Sequence, residues 1–124
     1  MNAVIKRQSE AEISWGGPEL CREYFITDRL TLGTSTLEPG ETGETDWGHK
    51  NSDEIWFVVK GQVRMRTPAS EVNDEATYDL QEGDAILIPE AVPHEVTNTG
   101  AVTAILSWSL APSESFADTV FKSS

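Results

Sequence analysis

The chain has 124 residues, and its 9 lysines and arginines against 21 aspartates and glutamates give a formal net charge of -12. This length predicts one domain with a single buried core, and the charge argues against nucleic acids and anionic membranes as partners because both are polyanions. The single cysteine, Cys21, excludes an intramolecular disulfide. The first residues lack the apolar segment of a signal peptide, and no apolar run reaches the ~18 residues of a membrane span, so we expect a cytoplasmic protein.

Short strands between turn-forming residues account for almost the whole chain. Residues 1–18 are interpreted as an N-terminal extension that ends in a Gly-Gly-Pro break, and residues 112–124 as a C-terminal tail. Between them, strands are predicted over residues 19–26, 30–37, 54–59, 62–67, 76–80, 85–88 and 102–110. About ten short strands with short connections are typical of a sandwich, a jelly roll or a small barrel. The chain is therefore predicted to be one all-β domain.

Three of these strands carry a definite burial pattern. Residues 54–59 are almost all apolar, which predicts a strand buried on both faces, and residues 85–88 are likewise predicted to be buried. Residues 102–110 alternate between apolar and polar side chains, so one face is predicted to lie in the core. That face consists of Val102, Ala104, Leu106, Trp108 and Leu110.

The only two histidines, His49 and His94, both lie in stretches rich in turn residues. Glu54 follows His49 by five positions, across a polar turn that would bring it back on the next strand. Two imidazoles and one carboxylate form a ligand set with open positions, which suits divalent iron, manganese, zinc or nickel. The alternative is that both histidines are ordinary hydrogen-bonded residues and that Glu54 is a surface acid.

Two stretches resemble the paired motifs of the cupin superfamily. In the first, His49 is followed after four residues by Glu54 and after six more by Gly61. The matching residues of the second are Gly83, Pro89, His94 and Asn98. The resemblance implies an all-β, cupin-like jelly-roll barrel. It also implies that a divalent metal is held by His49, Glu54 and His94.

The chain departs from the motifs at two positions, since Ala91 stands where a glycine is usual and Trp47 where the first histidine is expected. An indole offers no lone pair to a metal, so three protein ligands would remain. Asp46 would replace the histidine only through a local shift, because strand alternation turns it away from His49. The other outcome is a pocket without metal, with Trp47 in its wall.

Other side chains are candidates for a substrate pocket. Trp56 and Trp108 would line it beside Trp47, although both also suit a barrel core. Arg64 would hold a substrate carboxylate, with an exposed salt bridge as the alternative. No general base is assigned, and Glu41 is one candidate.

Two functions are compatible with the sequence. The first is a metal-dependent cupin enzyme in which the ion acts as a Lewis acid on a small oxygenated metabolite, such as a hydroxy acid, a keto acid or a sugar derivative. Oxygenase, isomerase and lyase reactions are not distinguished. The second is a non-catalytic cupin that binds a small molecule or a sugar, with or without metal. Small cupins commonly dimerise, so the resemblance also implies a homodimer, formed by apolar residues before Gly33 and after Pro112.

Overall fold

The computed structural model describes residues 1–114, and almost all of its regular structure is β-strand. The strands are β1 (Glu12–Gly16), β2 (Leu20–Ile26), β3 (Thr31–Leu37), β4 (Asp53–Lys60), β5 (Gln62–Thr67), β6 (Ala76–Gln81), β7 (Ala85–Ile88), β8 (Glu95–Asn98) and β9 (Ala104–Ala111). A single 3-10 turn, Gln8–Glu10, precedes them in this part of the chain. Within residues 1–114, no helix is long and apolar enough to cross a membrane.

The strands form two antiparallel sheets that enclose one core. The larger sheet has the order β1-β2-β3-β9-β4-β7, and the smaller has the order β6-β5-β8. Both sheets supply side chains to the buried cluster, which includes Leu37, Trp56, Val58, Val63, Met65, Val96, Leu106 and Trp108. This arrangement is a jelly-roll barrel, so the predicted fold class is confirmed.

The alternation predicted for the last strand is confirmed by β9. Ala104, Leu106, Trp108 and Leu110 are all fully buried, and the residues between them are partly exposed. Val102 lies before the strand begins and is exposed, so the buried face starts one step later than predicted.

The prediction that residues 54–59 are buried on both faces is wrong. In β4, every second residue is buried, while Ile55, Phe57 and Val59 face outward and are exposed. β4 has hydrogen-bonded neighbours on both edges but has the core on only one face. The prediction for residues 85–88 fails for the same reason, because Ala85 and Leu87 are exposed. The apolar composition of these strands therefore reflects an uncovered outer face.

Described parts of both predicted terminal segments pack onto the barrel. Residues 12–16 of the predicted extension form β1, which pairs with β2. At the other end, Ser52 donates a 2.5 Å hydrogen bond to the carbonyl of Pro112, and the Ser113 and Thr31 hydroxyls are 2.6 Å apart. Phe116 and Phe121, expected to contribute to a dimer, lie outside the described residues.

The two sides of the barrel differ in whether the edges of the sheets are covered. The loop 38–52 is not a strand, but it lies along the edge of β8 through isolated bridges between Thr42 and Thr97 and between Asp46 and His94. On the opposite side, β6 and β7 are the end strands of their sheets and do not pair with each other. The barrel is thus closed by a loop along β8 and open along the seam between β6 and β7.

Candidate metal centre

Four buried side chains meet inside the barrel: Asp46, His49, Glu54 and His94. Each offers one nitrogen or oxygen atom, and these four atoms all lie within 4.8 Å of one another. None of the four residues is more than 2% exposed. The structure thus brings the three predicted ligands together and adds Asp46 to them.

The backbone positions these side chains in different ways. Glu54 belongs to the inward face of β4, together with Trp56 and Val58. His94 immediately precedes β8, and its backbone exchanges two hydrogen bonds of 2.8 Å with Asp46. Ligands from β4, from the start of β8 and from the loop 38–52 therefore converge on one point.

The predicted orientation of Trp47 is not found. Its side chain is 45% exposed and lines a surface concavity with Lys50 and Ala91, while Asp46 points inward. The reason is a turn at Gly48, where φ is +99° and the backbone N–H donates a 3.0 Å hydrogen bond to Asp46 Oδ1. This turn replaces strand alternation, so residues three apart, Asp46 and His49, share the inward side.

The distances within the cluster suit a bound cation. His94 Nε2 lies 2.7 Å from Glu54 Oε1, and His49 Nε2 lies 3.1 Å from Asp46 Oδ2. The two crossed nitrogen–oxygen distances are both 3.7 Å. Although these atoms are close, none of them is aligned in a hydrogen bond within the described residues. Ligands about 2.1 Å from one ion are separated by about 3 Å when adjacent and by about 4 Å when opposite, and the distances found here, from 2.7 to 3.7 Å, lie close to this range.

The ring nitrogen of each histidine that faces away from the cluster, Nδ1, already has a hydrogen-bonding partner. His94 Nδ1 lies 3.0 Å from the carbonyl oxygen of Val92, which only accepts, so this nitrogen carries the proton. His49 Nδ1 lies 2.7 Å from Glu114 Oε2, which favours the same tautomer. In neutral histidines of this kind, Nε2 presents a lone pair. Two lone pairs facing two carboxylates repel one another unless a cation lies between them, so the donor set fits a divalent metal.

Without a bound cation, protons on the two histidines balance the negative charge of the two carboxylates. Burial disfavours the imidazolium of His94, but the carboxylates of Glu54 and Asp46 outweigh burial and raise its pKa to about 9. The pKa of His49 is also raised, because Asp46 and Glu54 more than offset its burial. Conversely, burial would raise the pKa of Asp46, but the two histidines lower it. Metal binding at this cluster would therefore displace protons.

A further carboxyl group, Glu19, lies beside the cluster and was not predicted. It is 2% exposed and lines the same small interior gap as Asp46 and His94. Its Oε2 accepts hydrogen bonds from the hydroxyl of Ser35 and from Cys21 Sγ, and burial raises its pKa to about 7. The gap thus holds an acid that is partly protonated near neutral pH.

The other candidate pocket residues occupy three different environments. Trp56 is buried in the core and meets the ring of His94 edge-on at 5.9 Å between centroids, so it touches the cluster. Trp108 is fully buried and donates a 3.0 Å hydrogen bond to Ser35. Arg64 is on the outer surface, where it forms a 2.8 Å salt bridge with Asp79. Only Trp56 therefore remains beside the predicted ligands.

One residue of the second motif holds the loop that carries His49. The N–H of Ala91 donates a 2.7 Å hydrogen bond to the carbonyl of His49. A side chain at Gly48 would come within 2.6 Å of the Ala91 carbonyl carbon, so only glycine permits this approach. Ala91 itself has a φ of 66°, the left-handed conformation for which glycine is the usual residue. The turn therefore forms although Ala91 replaces the usual glycine, and the backbone of Ala91 is strained as a result.

Comparison with known proteins agrees with this architecture. The family described as "Cupin domain" matches residues 33–109, which include all four residues of the cluster. Oxalate decarboxylase OxdC of Bacillus subtilis (strain 168) is 37% identical over 77 residues, which are 62% of this chain and 20% of that protein. The chain thus spans about a fifth of the length of this relative.

Two solved structures illustrate the similarity in fold. KdgF from Halomonas sp. superposes with a TM-score of 0.73 at 17% identity, covering 91% of this chain and 96% of that one. A structure from a study of the Mn(II) centres in Bacillus subtilis oxalate decarboxylase gives a TM-score of 0.76 at 23% identity. It covers 88% of this chain and 30% of that one.

Proposed function

The chain belongs to the cupin domain family, and we propose that it is a metal-dependent enzyme whose divalent ion is held by Asp46, His49, Glu54 and His94. The observation that carries this proposal is the convergence of four buried ligand atoms within 4.8 Å without mutual hydrogen bonds. Iron, manganese, zinc and nickel all suit two imidazoles and two carboxylates. Manganese is the first ion to test, because a similar protein has been studied for its Mn(II) centres.

The proposed substrate is a small oxygenated molecule that can chelate, such as a hydroxy acid, a keto acid or a sugar derivative. A divalent ion in this site would supply Lewis-acid polarisation of a substrate oxygen. The protein's own contribution is orientation, since Glu114 and the Val92 carbonyl fix the two histidine rings. Trp56 packs against His94 and, with the burial of all four ligands, limits the access of water. These features favour a Lewis-acid reaction on a substrate held away from bulk water.

A non-catalytic small-molecule-binding cupin is the second candidate. It is favoured by the state of the two acids beside the cluster, since Glu19 is already engaged by Ser35 and Cys21 and Glu114 is engaged by His49. A carboxyl group held in this way is less available as a general base than a free one.

Metal analysis tests the proposal most directly. The protein is purified without added metal, and its metal content is measured beside that of His94→Ala and of Trp47→His. We expect near-stoichiometric metal in the parent and in Trp47→His, and its loss in His94→Ala. Sub-stoichiometric metal in all three would overturn the proposal. Fully loaded protein that binds but does not convert a panel of hydroxy acids, keto acids and sugar derivatives would favour the second candidate.

We also propose that the protein forms a homodimer through the outer face of the larger sheet. Ile55, Phe57 and Val59 of β4 and Leu87 of β7 are all exposed there, and Ile55 is directly opposite Leu87 in the sheet register. A continuous apolar patch of this kind is a common feature of protein interfaces.

A further inference from the structure

The open seam between β6 and β7 contains a cavity of about 500 Å³, which we call the seam cavity. Its apolar wall includes Val72, Tyr78, Ile86, Leu87, Ile88 and Val92. This volume is in the range of sites for small organic ligands. The cavity lies where two sheet edges remain unpaired, so no strand of the described chain fills it.

The seam cavity is next to the candidate metal centre. Ile88, in its wall, is directly opposite Glu54 in the register of β7 and β4. Val92, also in its wall, accepts the hydrogen bond from His94 through its carbonyl. Two lining residues are thus immediate neighbours of two proposed ligands, one through the sheet and the other through a hydrogen bond.

The charge of the seam cavity differs from that of a site for small anions. Its polar lining consists of Thr67, Asn73, Asp74 and Glu90. No lysine or arginine lines it among residues 1–114, and Arg64 and Arg66 are both paired with acids on the outer surface. With a formal net charge of -12 on the whole chain, a carboxylate entering this cavity meets an unfavourable field.

We propose that the seam cavity binds an uncharged ligand with an apolar ring body and an oxygen-bearing polar end, in preference to a small carboxylate. This inference rests on the proposed function and narrows it, because among the proposed substrates it favours uncharged derivatives over hydroxy acids and keto acids as the molecule held beside the metal centre. The apolar wall would contact the ring, while Asn73 and Thr67 offer hydrogen-bonding groups to the polar end. Asp74 and Glu90 would exclude anions and so provide the selectivity.

Two probes of matched shape test this preference: 2-naphthol, which is uncharged, and 2-naphthoate, which carries a carboxylate. Each is titrated at neutral pH into ¹⁵N-labelled protein, and the amide shifts are followed. We expect saturable shifts at Val72, Tyr78 and Glu90 with 2-naphthol, and roughly tenfold weaker binding of 2-naphthoate. The double variant Asp74→Asn/Glu90→Gln should reduce the difference in affinity between 2-naphthol and 2-naphthoate. Equal or tighter binding of 2-naphthoate by the parent protein would overturn the proposed selectivity.

A space-filling variant tests the location. Val72 is 61% exposed on the loop before β6, so Val72→Trp should reach the cavity without disturbing a strand. We expect it to weaken 2-naphthol binding at least tenfold, whereas Val4→Trp, at an exposed N-terminal position, should leave binding unchanged. Unchanged binding by a folded Val72→Trp protein, or shifts confined to the concavity around Trp47, would contradict the inference.

The same titration in His94→Ala separates the two proposals. If 2-naphthol still shifts the amides of the cavity residues in His94→Ala, and the parent protein contains no metal, the proposed metal centre is overturned and ligand binding in the seam cavity is supported. Stoichiometric metal in a parent protein that gives no cavity shifts would overturn this inference alone.

Discussion

Asp46 and His94 exchange two backbone hydrogen bonds of 2.8 Å while their side chains point into the same cluster. The backbone pairing fixes the separation of two proposed ligands before any metal binds. Pre-positioned ligands lose less conformational entropy on binding than ligands on independent loops. The loop 38–52 therefore belongs to the metal centre as much as the strands do.

The position of the fourth ligand gives the first prediction. Asp46→Asn should weaken metal binding by at least about 100-fold, because loss of a direct ligand should exceed the 10–100-fold cost of losing an outer partner. Trp47→His, which restores the histidine of the usual motif, should leave the affinity unchanged because position 47 faces solvent. Calorimetric titration with Mn²⁺ measures both. Tighter binding by Trp47→His would show that the loop reorganises around the ion.

The contact between Glu114 and His49 gives the second prediction. Glu114→Ala should weaken metal binding about 10–100-fold, because the ring of His49 loses the group that orients it. Glu114→Gln should recover part of the affinity, since its amide oxygen still accepts from Nδ1. The electron paramagnetic resonance spectrum of bound Mn²⁺ should change in Glu114→Ala but not in Glu71→Ala, on an exposed loop. Identical spectra in all variants would reduce Glu114 to a structural contact.

The buried acid Glu19 predicts a pH dependence of stability in metal-free protein. Burial raises its pKa from the ordinary value of 4.5 to about 7, so the folded state holds the proton of Glu19 more tightly than the unfolded state does. The associated stability is fully present below pH 4.5 and is lost as the pH rises through about 7. Relative to the parent, Glu19→Gln should gain on the order of 3 kcal/mol in unfolding free energy between these limits.

Urea titrations at a series of pH values measure this difference. Glu71→Gln, on an exposed loop, is the matched control and should follow the parent at every pH. A constant difference between Glu19→Gln and the parent across this range would mean that Glu19 ionises normally.

The left-handed conformation of Ala91 gives the fourth prediction. Ala91→Gly should raise the free energy of unfolding by about 0.5–1 kcal/mol, because glycine adopts a positive φ without steric strain. Ala69→Gly, at an exposed loop position without a positive φ, should be neutral or slightly destabilising. Thermal unfolding followed by circular dichroism compares the two. A loss of stability in Ala91→Gly would contradict the assigned strain.

The proposed dimer gives the fifth prediction. Phe57→Lys places a charge in the middle of the exposed apolar face and should convert a dimer into a monomer. Val102→Lys, at an exposed position before β9, should leave the dimer intact. Sedimentation velocity distinguishes the two states. A monomeric parent protein at micromolar concentration would rule out this interface.

The sequence predicted seven of the nine strands, all but β1 and β8, and three of the four cluster residues, because the signals for these features are local. Periodicity marks β9, turn residues mark the strand ends, and the spacing of His49, Glu54 and His94 is contained in two motifs. Asp46 was discounted because alternation was assumed where Gly48 makes a turn. The prediction that the outer face of β4 is buried is wrong because composition alone does not distinguish the two cases. A strand with apolar residues on both faces has the same composition whether its second face packs against a core or is exposed to solvent.

The remaining site residues have no local signal at all. Glu19 approaches the cluster only because β2 packs into the same barrel as β4 and β8. Its burial against Gly43, where any side chain would collide with the carboxylate, depends on a contact between separate segments. Such contacts follow from the assembled fold and are not encoded in the spacing of neighbouring residues.

The hydrogen bonds that attach residues 112–114 to the barrel have a consequence for the chemistry of the candidate metal centre. Thr31 donates a 3.0 Å hydrogen bond to the carbonyl of Glu114, whose side chain in turn meets His49 from 65 residues away. The C-terminal segment thus works as a remote anchor for one ligand. A tag, a modification or a partner that draws this segment off the barrel would release the ring of His49 without touching any of the four residues around the ion.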